Sequence, residues 1–187
     1  MTLSSPGRIG LTQIHGQVGF GIRVGQWLNK SGFEDYEHAF LDLGDGNLIQ
    51  AEPGGAQIRP LSIYKPENIY WCDKIYARVP AAVRPRIAEE AKGFEGVKYS
   101  FLDYDAIALH RLGLDTAWLE RYIDSTGHMI CSQLVNVSYI RGGHRIFPMT
   151  RWDGFVAPGD LYLEDLRLKN EALLRNTSLM DLGGLPV

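Results

Sequence analysis

The chain holds two cysteines and five histidines, and one cysteine stands where a thiol becomes a nucleophile. Cys131 follows Gly127-His128-Met129-Ile130 and opens the run Cys131-Ser132-Gln133-Leu134-Val135. Apolar residues then recur at helical spacing as far as Ile140, and Gly142-Gly143 stops the pattern. A thiol in the first turn of a helix faces the N–H groups that have no intrahelical acceptor and the positive end of the helix dipole. Both favour the thiolate, which is the reactive form. The chemistry this predicts is attack of sulfur on an acyl carbon, through a covalent thioester.

Such a nucleophile needs a base, and the base needs a group to orient it. His38 fits the first role. It lies inside Tyr36-Glu37-His38-Ala39-Phe40, a stretch whose alternation predicts a strand over residues 36–43. Ala39, Leu41 and Leu43 then face the core, and His38 and Phe40 face the other way. The strand returns through the Gly44-Asp45-Gly46-Asn47 turn, and the returning segment carries Glu52 at its far end. Across that hairpin Glu52 can approach the imidazole, hold one ring nitrogen and leave the other for the thiol. The other histidines fit less well: His15 and His144 lie beside glycines, His110 sits beside Arg111 on a predicted helix, and His128 lies in the lead-in to the cysteine helix. Glu37 points to the opposite face from His38 in a regular strand. An oxyanion formed in the reaction has one natural donor in the backbone N–H of Cys131. A tyrosine hydroxyl or another polar side chain is a second, and position among nine tyrosines does not choose one. Cys72 sits in an apolar, β-rich run and reads as a buried, inert thiol.

Around these residues the chain supplies a frame. Residues 8–14 alternate as a strand, and residues 18–29 are apolar at helical spacing despite three glycines. Residues 36–61 read as three short strands with tight turns, and residues 70–79 as a further strand. From Pro80 the character changes: helices are predicted over residues 81–92, 101–112 and 116–123, then the Cys131 helix, and a last short helix over residues 159–170. Residues 147–158 read as irregular. The predicted class is α+β, an antiparallel sheet packed against helices, in a single domain over residues 1–170 followed by a tail over residues 171–187.

The composition excludes several functions. A length of 187 residues suits one domain with a sizeable core, and 45% apolar and 22% charged residues are ordinary globular values. The net charge of −3 gives no basic face for nucleic acid. No apolar run reaches the roughly 18 residues of a membrane span, and the first ten residues form no signal-peptide core, so a cytoplasmic location is expected. The cysteines form no C-x-x-C pair, so no zinc site is expected, and Gly19-Phe20-Gly21 lacks the spacing of a phosphate loop. No cofactor is expected.

The order of these segments carries a resemblance. Tyr36-Glu37-His38-Ala39-Phe40, Ile49-Gln50-Ala51-Glu52, Lys98-Tyr99-Ser100 and Met129-Ile130-Cys131-Ser132-Gln133-Leu134-Val135 together resemble the circularly permuted NlpC-type, papain-like thiol hydrolases, and the YiiX-like branch in particular. In that group a strand histidine comes first and the cysteine follows late, at the start of a helix in a pattern like Cys-Ser-Glu-Leu-Val. Gln133 stands here where that pattern has glutamate. The resemblance spans about residues 9–162. It implies a permuted papain-like fold, Cys131 as nucleophile, His38 as base and a third polar residue, Glu52. It also implies Tyr99 as a helper in binding the oxyanion, although two predicted helices separate Tyr99 from Cys131. The overall style is also similar to proteins of actinobacteria and their phages. The implied activity is a cysteine peptidase or amidase acting on small peptides of the peptidoglycan type, which a protein without an export signal reaches only through a virion, lysis or another protein. Two further readings stay open: a thiol acyltransferase or esterase acting on lipid acyl groups, with an apolar groove near Trp27, Trp152 and Phe155, and a catalytically silent module of the same fold.

Overall fold

The computed structural model describes residues 4–13, 36–52, 54–98, 130–149 and 156–182. Within them a five-stranded antiparallel sheet is covered by helices. The strands are β1 (Ile9–Thr12), β2 (His38–Asp42), β3 (Asn47–Glu52), β4 (Gly55–Pro60) and β5 (Tyr70–Trp71), in the spatial order β4-β3-β2-β1-β5. The helices are α1 (Asp73–Arg78), α2 (Arg84–Lys92), α3 (Cys131–Gly142) and α4 (Pro158–Leu182). The α+β class and the three-strand meander of β2, β3 and β4 are as the sequence predicts. None of the described helices is long and apolar enough to cross a membrane.

The register follows from which side chains must be buried. Ile9 pairs with Leu41, Leu11 with Ala39 and Leu41 with Ile49, which stacks one apolar face across three strands. That face forms a core with Ile75, Ile87, Leu134, Val135, Tyr139 and Leu161, all at most 2% exposed. Removing each such aliphatic side chain from water contributes about 1.5–3 kcal/mol. The reverse face is also covered. The Phe40 ring stacks on Tyr64 at 5.2 Å and meets Trp71 edge-on at 5.6 Å, and the Arg8 guanidinium lies over Trp71. Gly10 makes this possible: a β-carbon there would stand 2.1 Å from the Phe40 ring. The strand carrying His38 is therefore buried on both sides, and a side chain held between two packed faces has few rotamers to choose from.

Asp42 ties the hairpin to the N-terminal segment. Its carboxylate accepts from the Ser4 hydroxyl at 2.5 Å, the Ser5 N–H at 2.7 Å and the Gly44 N–H at 2.9 Å, which accounts for a fully buried acid.

Two predictions made from the sequence are corrected. Residues 70–79 are not one strand: β5 ends at Trp71 and α1 begins at Asp73. Asp165 of α4 decides the change, because its Oδ1 accepts the N–H groups of Lys74 (2.7 Å) and Ile75 (3.0 Å) while its Oδ2 accepts the Tyr70 hydroxyl at 2.8 Å. A carboxylate supplied from a distant helix caps a first turn that has no cap of its own. The last helix is also longer than predicted, running from Pro158 to Leu182 rather than stopping near Asn170. Glu164, Arg167 and Glu171, one turn apart, carry it on through ion pairs along one face. The predicted helices over residues 18–29, 101–112 and 116–123 lie outside the described residues.

Candidate active site

Cys131 is the first residue of α3. Ile130 before it is extended (φ −90°, ψ 162°), and the first helical bond runs from the Leu134 N–H to the Ile130 carbonyl at 2.9 Å. The Gln133 side-chain oxygen accepts the Ile130 N–H at 3.4 Å, half of a capping box, which fixes where the helix begins. Ser132 donates to the Val156 carbonyl at 2.6 Å and anchors the same turn to the start of α4. At the other end Gly143 takes φ 95°, a left-handed cap that closes the helix after Gly142. Leu134, Val135 and Tyr139 put one face of α3 into the core, and the helix packs on β2, β3 and α2. The thiol is thus held by a helix that is buried along nearly its whole length.

His38 opens β2 and pairs with Thr12 of β1. The residue is 5% exposed. Nε2 lies 3.0 Å from Gln50 Oε1. The identity of the Gln50 atoms is fixed by their other partners. Gln50 Nε2 donates to Glu52 Oε1 at 2.8 Å, and a carboxylate oxygen can only accept; the Tyr64 hydroxyl donates to Gln50 Oε1 at 2.7 Å. The amide oxygen therefore faces His38, the proton of the neutral ring sits on Nε2, and Nδ1 is left for the Cys131 thiol. Cys131 is both a hydrogen-bond partner and a charge partner of the ring.

The electrostatics follow from these contacts. Burial is the largest single influence on His38 and pulls its pKa down. The charge of Cys131, the hydrogen bonds to Cys131 and Gln50 and the charge of Glu52 together outweigh it, so the imidazole lies above its ordinary value of 6.5. Tyr64 is pushed up to about 12, first by burial and then by the Glu52 charge, while hydrogen bonds to Thr12 and Gln50 pull the other way. It remains a neutral phenol and can keep donating to Gln50.

Of the residues named from sequence, Cys131 and His38 are brought into contact. Glu52 stands one link further back: the hydrogen bond to the ring comes from Gln50, and Glu52 holds Gln50 while acting on the ring through its charge. Gln50 and Tyr64 are the two residues of the network that sequence reasoning did not assign. A signal for Gln50 existed, since residues two apart on a strand share a face and Gln50 interrupts an apolar run on the same side as Glu52. Tyr64 lies in a turn beyond β4, and no pattern marks it. Tyr99, His15, His110, His128, Trp27, Trp152 and Phe155 lie outside the described residues. His144 rests against Tyr139 at 6.1 Å, and burial, then Arg78, lowers its pKa. Cys72 is fully buried and its thiol is pushed well up by burial and then by Asp165 and Asp73, which disfavours the thiolate.

Among the described residues there is no cluster of three or more histidines, cysteines or acids able to hold a metal ion. No protein-family model, curated protein or solved structure matches the chain.

Proposed function

We propose that the protein is a cysteine hydrolase that cleaves an amide bond, with Cys131 as nucleophile and His38 as general base and acid. One observation carries this reading: a buried imidazole is held at Nε2 by a side-chain carbonyl while a thiol at a helix N-terminus partners the ring. A core histidine needs no second carbonyl-and-carboxylate chain to orient it, and a core cysteine needs no imidazole.

In this mechanism His38 Nδ1 takes the Cys131 proton, giving a thiolate beside an imidazolium whose Nε2–H stays on Gln50 Oε1. The sulfur attacks the carbonyl carbon. The oxyanion is met by N–H groups of the first turn of α3, where the helix dipole favours negative charge. The imidazolium then protonates the departing nitrogen, the C–N bond breaks, and a thioester remains on Cys131. Water, deprotonated by His38, attacks the thioester and releases the acid and the thiol. Glu52 and Tyr64 hold the Gln50 amide in the one orientation in which its oxygen accepts from the ring.

The histidine strand, the polar residue on the next strand and the late cysteine helix suit a permuted papain-like fold, with Gln50 filling the third position for which Glu52 was the expectation. Peptides of the peptidoglycan type are the proposed substrate class. The test is incubation of wild type and Cys131→Ala with muropeptides and, separately, with short acyl esters. The reading requires Cys131-dependent release of an amine from the peptides. Turnover of acyl esters alone points instead to the acyltransferase or esterase reading, and no turnover with an unreactive Cys131 points to a silent module.

A further inference from the structure

Beside the His38 end of β2 lies a cavity of about 310 Å3, lined in part by Thr12, Gln13, Tyr36, Tyr64, Glu67 and Tyr70. Two of its walls belong to the site network. Thr12 is the strand partner of His38, and the Tyr64 hydroxyl holds Gln50 Oε1. A volume at the lower end of the range for small-molecule pockets fits one side chain or terminal group of a substrate.

The lining has a definite chemical preference. Three tyrosine rings line it; Tyr36 and Tyr70 stand 5.3 Å apart, and the Tyr70 hydroxyl is tied to Asp165, which makes that ring a fixed wall. Among the described residues, Glu67 is the only formally charged one of the lining, and it is exposed. It forms no ion pair with a lysine or arginine among the described residues. Lys65, its near neighbour in sequence, does not line the cavity. Aromatic faces with an adjacent unneutralised carboxylate attract ammonium groups and repel anions. A second cavity of similar size, between α1 and α4, is lined in part by Lys74, Arg78, Glu171 and Arg175 and shares no described residue with the Cys131–His38 network.

We propose that the Thr12–Tyr64–Glu67 cavity is the specificity pocket of the Cys131 site and takes an ammonium-bearing arm of the substrate. The proposal rests on the reading of Cys131 as nucleophile. It predicts cleavage of acyl compounds that present a cationic amine a few bonds from the reacting carbonyl, and discrimination against those carrying a carboxylate or sulfonate there.

Methanethiosulfonates of different charge test it without any knowledge of the natural substrate. Each transfers its thioalkyl group to the Cys131 thiolate, forming a mixed disulfide and expelling methanesulfinate. The rates at Cys131 are measured by mass spectrometry with the neutral methyl, cationic trimethylammonioethyl, cationic aminoethyl and anionic sulfonatoethyl reagents, each normalised to its rate with free cysteine. The expected result is a cation-over-anion preference of about tenfold, weakened by salt, as one exposed carboxylate and half-buried tyrosine rings supply. Glu67→Gln lowers that preference severalfold when each rate is taken relative to the neutral reagent on the same variant. The two cationic reagents distinguish a quaternary from a primary ammonium. A neutral reagent that reacts faster with Cys131 than with free cysteine, with no charge preference or one untouched by Glu67→Gln, overturns the pocket alone. A neutral rate no faster than free cysteine overturns the nucleophile reading and the pocket with it.

Discussion

Replacing Gln50 with alanine tests the orienting network at its narrowest point. The substitution removes the acceptor 3.0 Å from His38 Nε2 and the group that receives the Tyr64 hydroxyl. In the thiolate–imidazolium pair that acceptor bonds a charged donor, and such a bond contributes about 1.5–3 kcal/mol. If the whole amount is expressed in holding the ring for the thiol, the reactivity of Cys131 near neutral pH falls by about 10- to 100-fold. Glu52→Ala leaves the Gln50 oxygen in reach of the ring but frees the amide to turn, since only Tyr64 still specifies its orientation. The loss there is smaller, on the order of 3- to 10-fold. The assay is the pseudo-first-order rate of iodoacetamide alkylation at Cys131 across pH 5 to 9, followed by mass spectrometry, with urea unfolding to show that each variant is folded. Gln50→Glu, which keeps an acceptor near Nε2, should retain more reactivity than Gln50→Ala at neutral pH. Wild-type rates and pH profile in Gln50→Ala would refute the network. A larger loss in Glu52→Ala than in Gln50→Ala would show that Glu52, not Gln50, orients the ring.

Three other outcomes follow from the same contacts. In Cys131→Ala the His38 pKa falls relative to wild type, because two of the four influences that raise it come from Cys131; NMR titration of the ring reads this directly. A folded value above 6.5 means that His38 stabilises the fold at low pH and that the contribution is lost as pH rises through the folded value. The stability of Cys131→Ala, measured by urea unfolding at pH 5.5 and pH 8.5, should therefore show less of that loss. Gly142→Ala destabilises by about 1–3 kcal/mol despite alanine's better helix propensity. Its β-carbon would stand 2.8 Å and 2.9 Å from the Ile87 backbone, so α2 and α3 must separate, which urea unfolding detects. Asp165→Ala costs about 2–4 kcal/mol by stranding the Lys74 and Ile75 N–H groups, and Asp165→Asn costs less because one amide oxygen can still accept both; hydrogen exchange at these two amides separates the variants.

The parts of the fold legible in the sequence are those set by local patterns. Alternation marked β2, glycines marked its turn, and helical spacing placed the start of α3 at Cys131 within a residue. The parts that were not legible depend on long-range partners. Residues 70–79 carry the strand-forming side chains Tyr70, Trp71, Ile75, Tyr76 and Val79, yet Asp165, some ninety positions away, caps a helix that takes Asp73–Arg78. The same holds at the site. His38 and Cys131 were visible because each sits at a structurally defined point of its own element. Gln50 is hard to single out because an acid looks like a better partner for a histidine than an amide does. In a buried strand the uncharged side chain takes the inner place and the carboxylate stands at the half-buried strand end, where its charge costs less. Tyr64 owes its role to the packing of a turn over Phe40, which no spacing rule records.

The central claim is that Cys131 is an activated nucleophile paired with His38, and its reaction rate at low pH tests this most directly. Wild-type protein, His38→Ala and free cysteine are alkylated side by side at pH 6, where an ordinary thiol with a pKa of about 8.5 is almost wholly protonated. Cys72, buried and with its thiolate disfavoured, is the internal control. The account predicts alkylation at Cys131 alone, at least tenfold faster than free cysteine, with most of that excess lost in His38→Ala. Alkylation of Cys131 no faster than free cysteine, or equally fast in His38→Ala, would contradict it.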